Sequence, residues 1–244
     1  RNTMSLDGLK NAVRASRNLV CLLGRGVSLD TGCDAYGGDE FAYDVEQKYG
    51  SSPEEIFSSS CLNTRPRKFF EYYRAEILEK RGQPNACHDV LARLEQEGKL
   101  RAIITRGIFG LAKRGGCRNV ISLHGTIYDN YCTHCGEKYS IDYMMKGNPI
   151  PFCEKCGAIV RPGIVLGGEM LDNNKVTEAA RFISEADTLL VLGSRLNDDL
   201  CIYGRRYFAG KYLILIHDTP HYLDEMASYC CIGQPKDILP QLYP

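Results

Sequence analysis

The sequence has no surplus of either charge: 30 lysines and arginines face 30 aspartates and glutamates. A neutral chain has no bulk attraction for a polyanion, so no direct nucleic-acid partner is expected. No apolar run comes near the roughly 18 residues of a membrane span, so no membrane partner is expected either. No internal repeat and no low-complexity tract interrupts it. No signal peptide is expected: Arg1-Asn2-Thr3 ahead of Met4 reads as a remnant rather than a leader. What remains is an ordinary globular composition, 44% hydrophobic and 25% charged over 244 residues, enough for one large domain and a smaller one.

Cysteine is abundant, at twelve residues. Four of them, Cys132, Cys135, Cys153 and Cys156, form two C-x2-C pairs. Each pair closes on one metal through a tight turn, and four thiolates are the usual shell of a structural, tetrahedral zinc ion. The other eight lack a framework spacing. They read as buried, reduced thiols in a cytoplasmic protein rather than as a disulfide scaffold.

Along the chain, apolar runs alternate with amphipathic stretches. Residues 5–17, 66–80, 85–97, 173–186 and 235–242 read as helices, and Ser52 as the cap of another that starts at Pro53. Buried strands are expected at 18–23, 100–105, 120–123, 188–194 and 212–218. Strands alternating with helices predict an α/β, Rossmann-like doubly wound parallel sheet. Its expected extent is 1–29, 96–126 and 161–244. Residues 30–95 and 127–160 would be insertions forming a smaller helical and zinc-binding domain.

The first strand runs into Gly24-Arg25-Gly26-Val27-Ser28. Such a loop either lets backbone approach a dinucleotide diphosphate or is simply a tight strand-to-helix turn. The third strand delivers His124, followed by Gly125. A histidine there is a candidate general base, because imidazole titrates near neutral pH; hydrogen bonding to backbone is the equal alternative. His88 reads as structural. Phe69, Phe70, Tyr72 and Tyr73 read as core.

Taken together these motifs resemble the sirtuins, the family of NAD-dependent protein deacylases. The resemblance rests on Gly24 to Ser28, Pro84-Asn85-x-x-His88, Ile104-Thr105 with Gly110-Leu111, Leu123-His124-Gly125, and the four metal cysteines. It continues through Arg161-Pro162-Gly163-Ile164-Val165, Gly168-Glu169 and Leu192-Gly193-Ser194, in the same order. It implies NAD as consumed co-substrate, an acyl-lysine protein or peptide as partner, and one structural zinc. His124 would be the base that deprotonates a ribose hydroxyl. Gly24, Arg25, Gly26, Val27, Thr31, Tyr36, Arg106, Ile108, Gly193, Ser194, His217 and Asp218 would contact NAD. Val165, Leu166, Gly167, Gly168 and Glu169 would pair with the substrate backbone as an added strand.

The departures from the family bear on the same positions. Where sirtuins show Thr-Gln-Asn-Ile-Asp, this chain has Thr105-Arg106-Gly107-Ile108-Phe109. Arg25 replaces an alanine at the diphosphate, where it either strengthens anion binding or blocks it. Gly193-Ser194-Arg195 stands for Gly-Thr-Ser, and His217 for an asparagine. Arg74 matches half of the Tyr-x-x-Arg pair of acidic-acyl sirtuins, with Glu71 at the tyrosine. The reading is therefore a protein lysine deacylase transferring its acyl group to ADP-ribose. The alternatives are an NAD-hydrolysing or ADP-ribosyl-transferring relative and a weakened NAD-binding module.

Overall fold

The computed structural model of the chain describes residues 6–31, 33 and 39–244. Tyr36 lies outside them. Nine strands occur among the described residues: β1 (Leu19–Leu23), β2 (Leu100–Thr105), β3 (Val120–Ser122), β4 (Gly125–Cys132), β5 (Lys138–Tyr139), β6 (Val160–Ile164), β7 (Thr188–Leu192), β8 (Tyr212–His217) and β9 (Tyr229–Ile232). They divide between two compact units. The first is Arg1–Thr31, Gln83–Leu123 and Asp172–Pro244; the second is Gly32–Gly82 and His124–Leu171.

The first unit is built on a six-stranded sheet in the order β3-β2-β1-β7-β8-β9, with every neighbouring pair parallel. Its central strands are buried on both faces, because successive side chains point to opposite sides. Leu19, Cys21, Leu23, Leu190, Leu192, Ile214 and Ile216 join one core, with the helices Leu6–Ala15, Ala86–Gln96 and Pro235–Leu242. Val20, Leu22, Leu189, Val191, Leu213 and Leu215 join the other, against the helices Asn173–Glu185 and Asp199–Tyr207. Each fully buried aliphatic side chain contributes about 1.5–3 kcal/mol. Asp187 pins the start of the sheet: its carboxylate accepts from Ser16 Oγ at 2.6 Å and from the Arg17 and Asn18 amides at 2.8 and 3.0 Å.

All five expected strands are present, and β9 adds a sixth that the sequence reading lacks. It is a short edge strand with partly exposed residues, so it carries no apolar run. The unit edges also differ from the expected domain edges. The helix Ala86–Gln96 packs on β2 and on Pro235–Leu242 and so belongs with the sheet. Residues 160–164 pair with β4 and so belong to the second unit.

The second unit combines a three-stranded antiparallel sheet, β5-β4-β6, with short helices. The expected helix over 66–80 is one continuous stretch of three kinds of turn: α-helix Pro66–Tyr72, a π-helical turn Tyr73–Ile77 and a 3-10 turn Leu78–Lys80. Phe69, Phe70, Tyr72 and Tyr73 have no exposed surface; Phe69 stacks on Phe57 and Tyr73, Tyr72 meets Phe57 at a tilt, and Phe70 packs edge-on against Phe69 and Tyr73. The aromatic stripe is core. Ser52 caps Pro53–Ile56, its hydroxyl accepting from the Glu55 amide.

No cysteine among the described residues forms a disulfide. Burial pushes the Cys117 and Cys201 thiols up, to about 12 and about 11.

Candidate functional site

In the first unit the strand order reverses between β1 and β7. In an open parallel sheet that reversal opens a crevice outside the carboxyl ends of the strands. A cavity of about 490 Å3 lies there, lined by Arg25, Gly26, Leu29, Gly193, Ser194, Arg195, Asn197, Asp198, His217, Asp218 and Thr219.

Its floor is made by two loops in backbone contact. Gly24 N–H donates to Leu192 O at 2.7 Å, and Gly26 N–H to Gly193 O at 2.8 Å. A Cβ on Gly24 would stand 2.5 Å from Ser194 Cβ, and one on Gly193 2.6 Å from Val27 N. Gly193 also holds φ +66°, where side chains are strained. The glycines therefore serve loop-on-loop packing, and the Gly26 amide is already bonded within the protein. Val27 is buried beneath, and Thr31 closes the short helix Arg25–Asp30, its hydroxyl bonded to Ser28 O.

Six of the twelve residues expected to contact the nucleotide line this cavity: Arg25, Gly26, Gly193, Ser194, His217 and Asp218. Gly24, Val27, Thr31, Arg106 and Ile108 do not, and Tyr36 is outside the described residues. Arg106 forms an ion pair with Asp198 at 3.7 Å and approaches Asp199 at 4.0 Å. Ile108 and Phe109 are buried. Asp198 in turn accepts from Ser194 Oγ at 3.1 Å. Five lining residues were not expected: Leu29, in the helix after β1, and Arg195, Asn197, Asp198 and Thr219, which follow strand ends. The only signal of the last four in the sequence is a run of polar residues just past a strand end.

In the second unit, His124 precedes β4 and its carbonyl accepts from Val165 N–H at 2.8 Å. Gly125 has φ +75°, and a Cβ there would lie 2.0 Å from Gly163 O. The His-Gly and Pro-Gly motifs are thus one contact, where β4 pairs antiparallel with β6. The segment after β6 is braced by Glu169. Its carboxylate receives both Arg161 amino groups, at 2.6 and 2.9 Å, and the Leu166 amide at 2.9 Å. Hydrogen bonding to Arg161 holds the Glu169 carboxyl below the usual range despite burial. Gly167 bonds through both backbone groups, N–H to Phe57 O and C=O from Ser59 N–H. Of the five residues expected to pair with a substrate strand, Val165, Leu166, Gly167 and Glu169 thus already have groups bonded inside the protein. Arg74 donates from Nε to Met144 O, leaving a buried Nη2 with no partner.

The four cysteines converge. Cys132 and Cys156 sulfurs are 3.3 Å apart, Cys135 and Cys153 sulfurs 3.6 Å, and all four lie within 4.8 Å of one another. A tetrahedron of sulfurs at 2.3 Å from zinc has edges of roughly 3.8 Å, so the set fits a zinc ion with slight expansion. Each pair is a turn closed by a glycine of positive φ, Gly136 and Gly157. The His134 and Cys135 amides point at Cys132 Sγ, and the Lys155 amide at Cys153 Sγ. Tyr139 donates its hydroxyl to Cys153 Sγ at 3.2 Å, the main cause that holds this thiol down to about 6. Four sulfurs leave no open position, so the fitting ion is structural.

The profile of the Sir2 family matches residues 24–198, more than half of the chain. The chain belongs to the Sir2 family. An NAD-dependent protein deacetylase of Clostridium acetobutylicum is 37% identical over 227 residues, covering 91% of both chains. One of Staphylococcus epidermidis is 37% identical over 223 residues, covering 91% of this chain and 90% of its own. Among solved structures, one on the structural basis of sirtuin substrate affinity superposes with a TM-score of 0.88 at 27% identity over 98% of both chains. A complex of Sir2 with a p53 peptide and NAD+ gives 0.80 at 27% identity, over 98% of this chain and 97% of that one. Sir2-family enzymes use NAD as co-substrate, and this Sir2-family chain carries both the sheet crevice and the four-cysteine cluster. No helix among its described residues is long and apolar enough to cross a membrane.

Proposed function

We propose that this Sir2-family chain is a protein lysine deacylase that transfers the acyl group from lysine to ADP-ribose and releases nicotinamide. The observation that carries the reading is the crevice between β1 and β7, walled by the Gly24–Gly26 and Gly193–Ser194 loops, in a chain of this family.

The cavity residues suit a dinucleotide. Arg25 supplies positive charge for a diphosphate beside Gly26. Ser194, His217, Asp218 and Thr219 are hydrogen-bonding groups suited to an adenosine half. His124 is the proposed general base, taking a proton from a ribose hydroxyl as the acyl group moves. Val165, Leu166 and Gly168 are proposed to meet the acyl-lysine segment, while Arg161 and Glu169 keep that stretch in shape. Zinc, when bound to the four cysteines, supplies folding free energy and no chemistry. A cytoplasmic location is proposed from twelve cysteines without a disulfide.

Gly107 and Phe109 stand where the family motif has asparagine and aspartate. Each buried hydrogen bond lost without replacement costs about 1–3 kcal/mol, so turnover slower than in relatives with the full motif is expected. The test is mass spectrometry of acetyl-, propionyl- and succinyl-lysine peptides incubated with NAD and the protein. One class should lose its acyl group, and His124→Ala should abolish this while NAD affinity by calorimetry stays. Unchanged turnover in His124→Ala would remove it as the base. Intact peptides throughout would leave a nucleotide-binding module.

A further inference from the structure

The C-terminal end of β8 carries a second group of metal-ligating side chains, remote in sequence from the four zinc-site cysteines. His217 is the last residue of β8. Cys230, on β9, lies opposite Leu215, two residues before His217. Alternate residues share a face, so His217 and Cys230 project from the same side of the sheet. The 3-10 helix Tyr222–Met226 brings Asp224 to that side. One Asp224 oxygen, Oδ2, accepts from the His221 amide at 2.9 Å, which fixes the carboxylate. The other, Oδ1, stands 2.9 Å from His217 Nε2.

His217 Nε2 and Asp224 Oδ1 are both buried and meet as a close ion-pair contact without well-aligned hydrogen-bond geometry, and the Cys230 thiol also reaches Asp224. The His217 side chain is only 4% exposed. Burying polar atoms without well-aligned hydrogen bonds is costly, and a shared cation would relieve that cost. The imidazole nitrogen, the carboxylate oxygen and the Cys230 sulfur all lie within 4.8 Å of one another. Donor bonds of 2.0–2.1 Å to zinc require nitrogen-to-oxygen edges of roughly 3.3 Å. The 2.9 Å edge therefore falls short by a few tenths of an ångström, much as the 3.3 Å edge of the four-cysteine cluster does.

We propose that His217, Asp224 and Cys230 form a second metal site, for a divalent cation of the zinc class. One nitrogen, one hard oxygen and one thiolate select zinc or cobalt(II) over magnesium or calcium. Binding displaces the Cys230 thiol proton to solvent and gives the imidazole nitrogen, the carboxylate oxygen and the thiolate one common partner. With three protein ligands the fourth tetrahedral position is open to water, unlike the closed four-thiolate set. His217 also lines the nucleotide-sized cavity, so an ion here fixes one ring of that wall.

The test uses the purified protein with zinc in place on its four cysteines and cobalt(II) as the probe. After gel filtration, retained zinc and cobalt are counted by elemental analysis, and thiolate-to-cobalt charge transfer is read by absorption. The wild type should keep one zinc and one cobalt with a charge-transfer band. Cys230→Ser should lose the band and weaken cobalt at least tenfold. Cys231→Ser, on the opposite face of β9, should change neither. His217→Asn is the second variant, should Cys230→Ser not fold, and it should also lose the second equivalent. A wild type that retains no cobalt beside its zinc overturns the proposal. So does a band that survives Cys230→Ser or His217→Asn.

Discussion

His88 lets the pH dependence of stability be worked out. It is the third residue of the helix Ala86–Gln96, fully buried. Its Nδ1 accepts from the Asn85 amide at 3.1 Å, while Nε2 has no partner. Burial, aided by the Arg114 charge and opposed by Asp89, lowers its pKa from 6.5 to about 4. The unfolded chain therefore takes up a proton near pH 6.5, and the folded chain does not until about pH 4. Stability falls as pH drops through that window and levels off below it. The full effect is about 3 kcal/mol, of which about 2 kcal/mol is lost between pH 7 and pH 5. His88→Gln removes the titration yet keeps a side chain able to close the capping box. Urea unfolding of both proteins at pH 7, 6 and 5 should show the wild type losing about 2 kcal/mol more than the variant. Contributions from other carboxylates and from zinc are common to both and cancel. Parallel pH curves would refute a neutral, buried His88.

Gly193→Ala places a methyl 2.6 Å from Val27 N at φ +66° and should cost at least about 2 kcal/mol; it should also weaken NAD in calorimetry, and unchanged affinity would contradict the shared loop packing. Glu169→Gln removes the charge that holds Arg161 and should speed hydrogen exchange across 164–169, with a stability loss of about 1–3 kcal/mol. Unaltered protection there would mean the brace is unimportant. Cys132→Ser should lower the zinc content of the four-cysteine site and raise exchange in β4 and β6 while β1 and β7 stay protected. Full zinc retention would contradict a four-thiolate shell.

The sheet was legible because β1, β7 and β8 are uninterrupted apolar runs whose alternate residues feed two cores. The edge strand β9 was not, since Tyr229-Cys230-Cys231-Ile232 buries too little to show a pattern. β6 was hidden by Pro162 and Gly163, residues that weaken any strand assignment, although Gly163 is what lets β4 pair so closely. The metal cysteines were legible from spacing alone. Half of the residues expected at a nucleotide line the crevice cavity. Glycine loops at strand ends carry a local signal, whereas Asn197 and Asp198 depend on how the loop after β7 folds back. Glu169 was expected at the substrate from its motif, whereas its bonds to Arg161 and Leu166 need coordinates to see. The partners of Arg106, Asp198 and Asp199, lie more than ninety residues away, beyond any local pattern.

The most direct test of the deacylase assignment is nicotinamide release from NAD, measured with and without an acyl-lysine peptide and alongside the deacylated peptide formed. Release is expected only when acyl-lysine is present, one nicotinamide for each lysine freed, and none in His124→Ala. Release that proceeds equally without peptide would contradict the assignment and make the protein an NAD-cleaving enzyme of another kind.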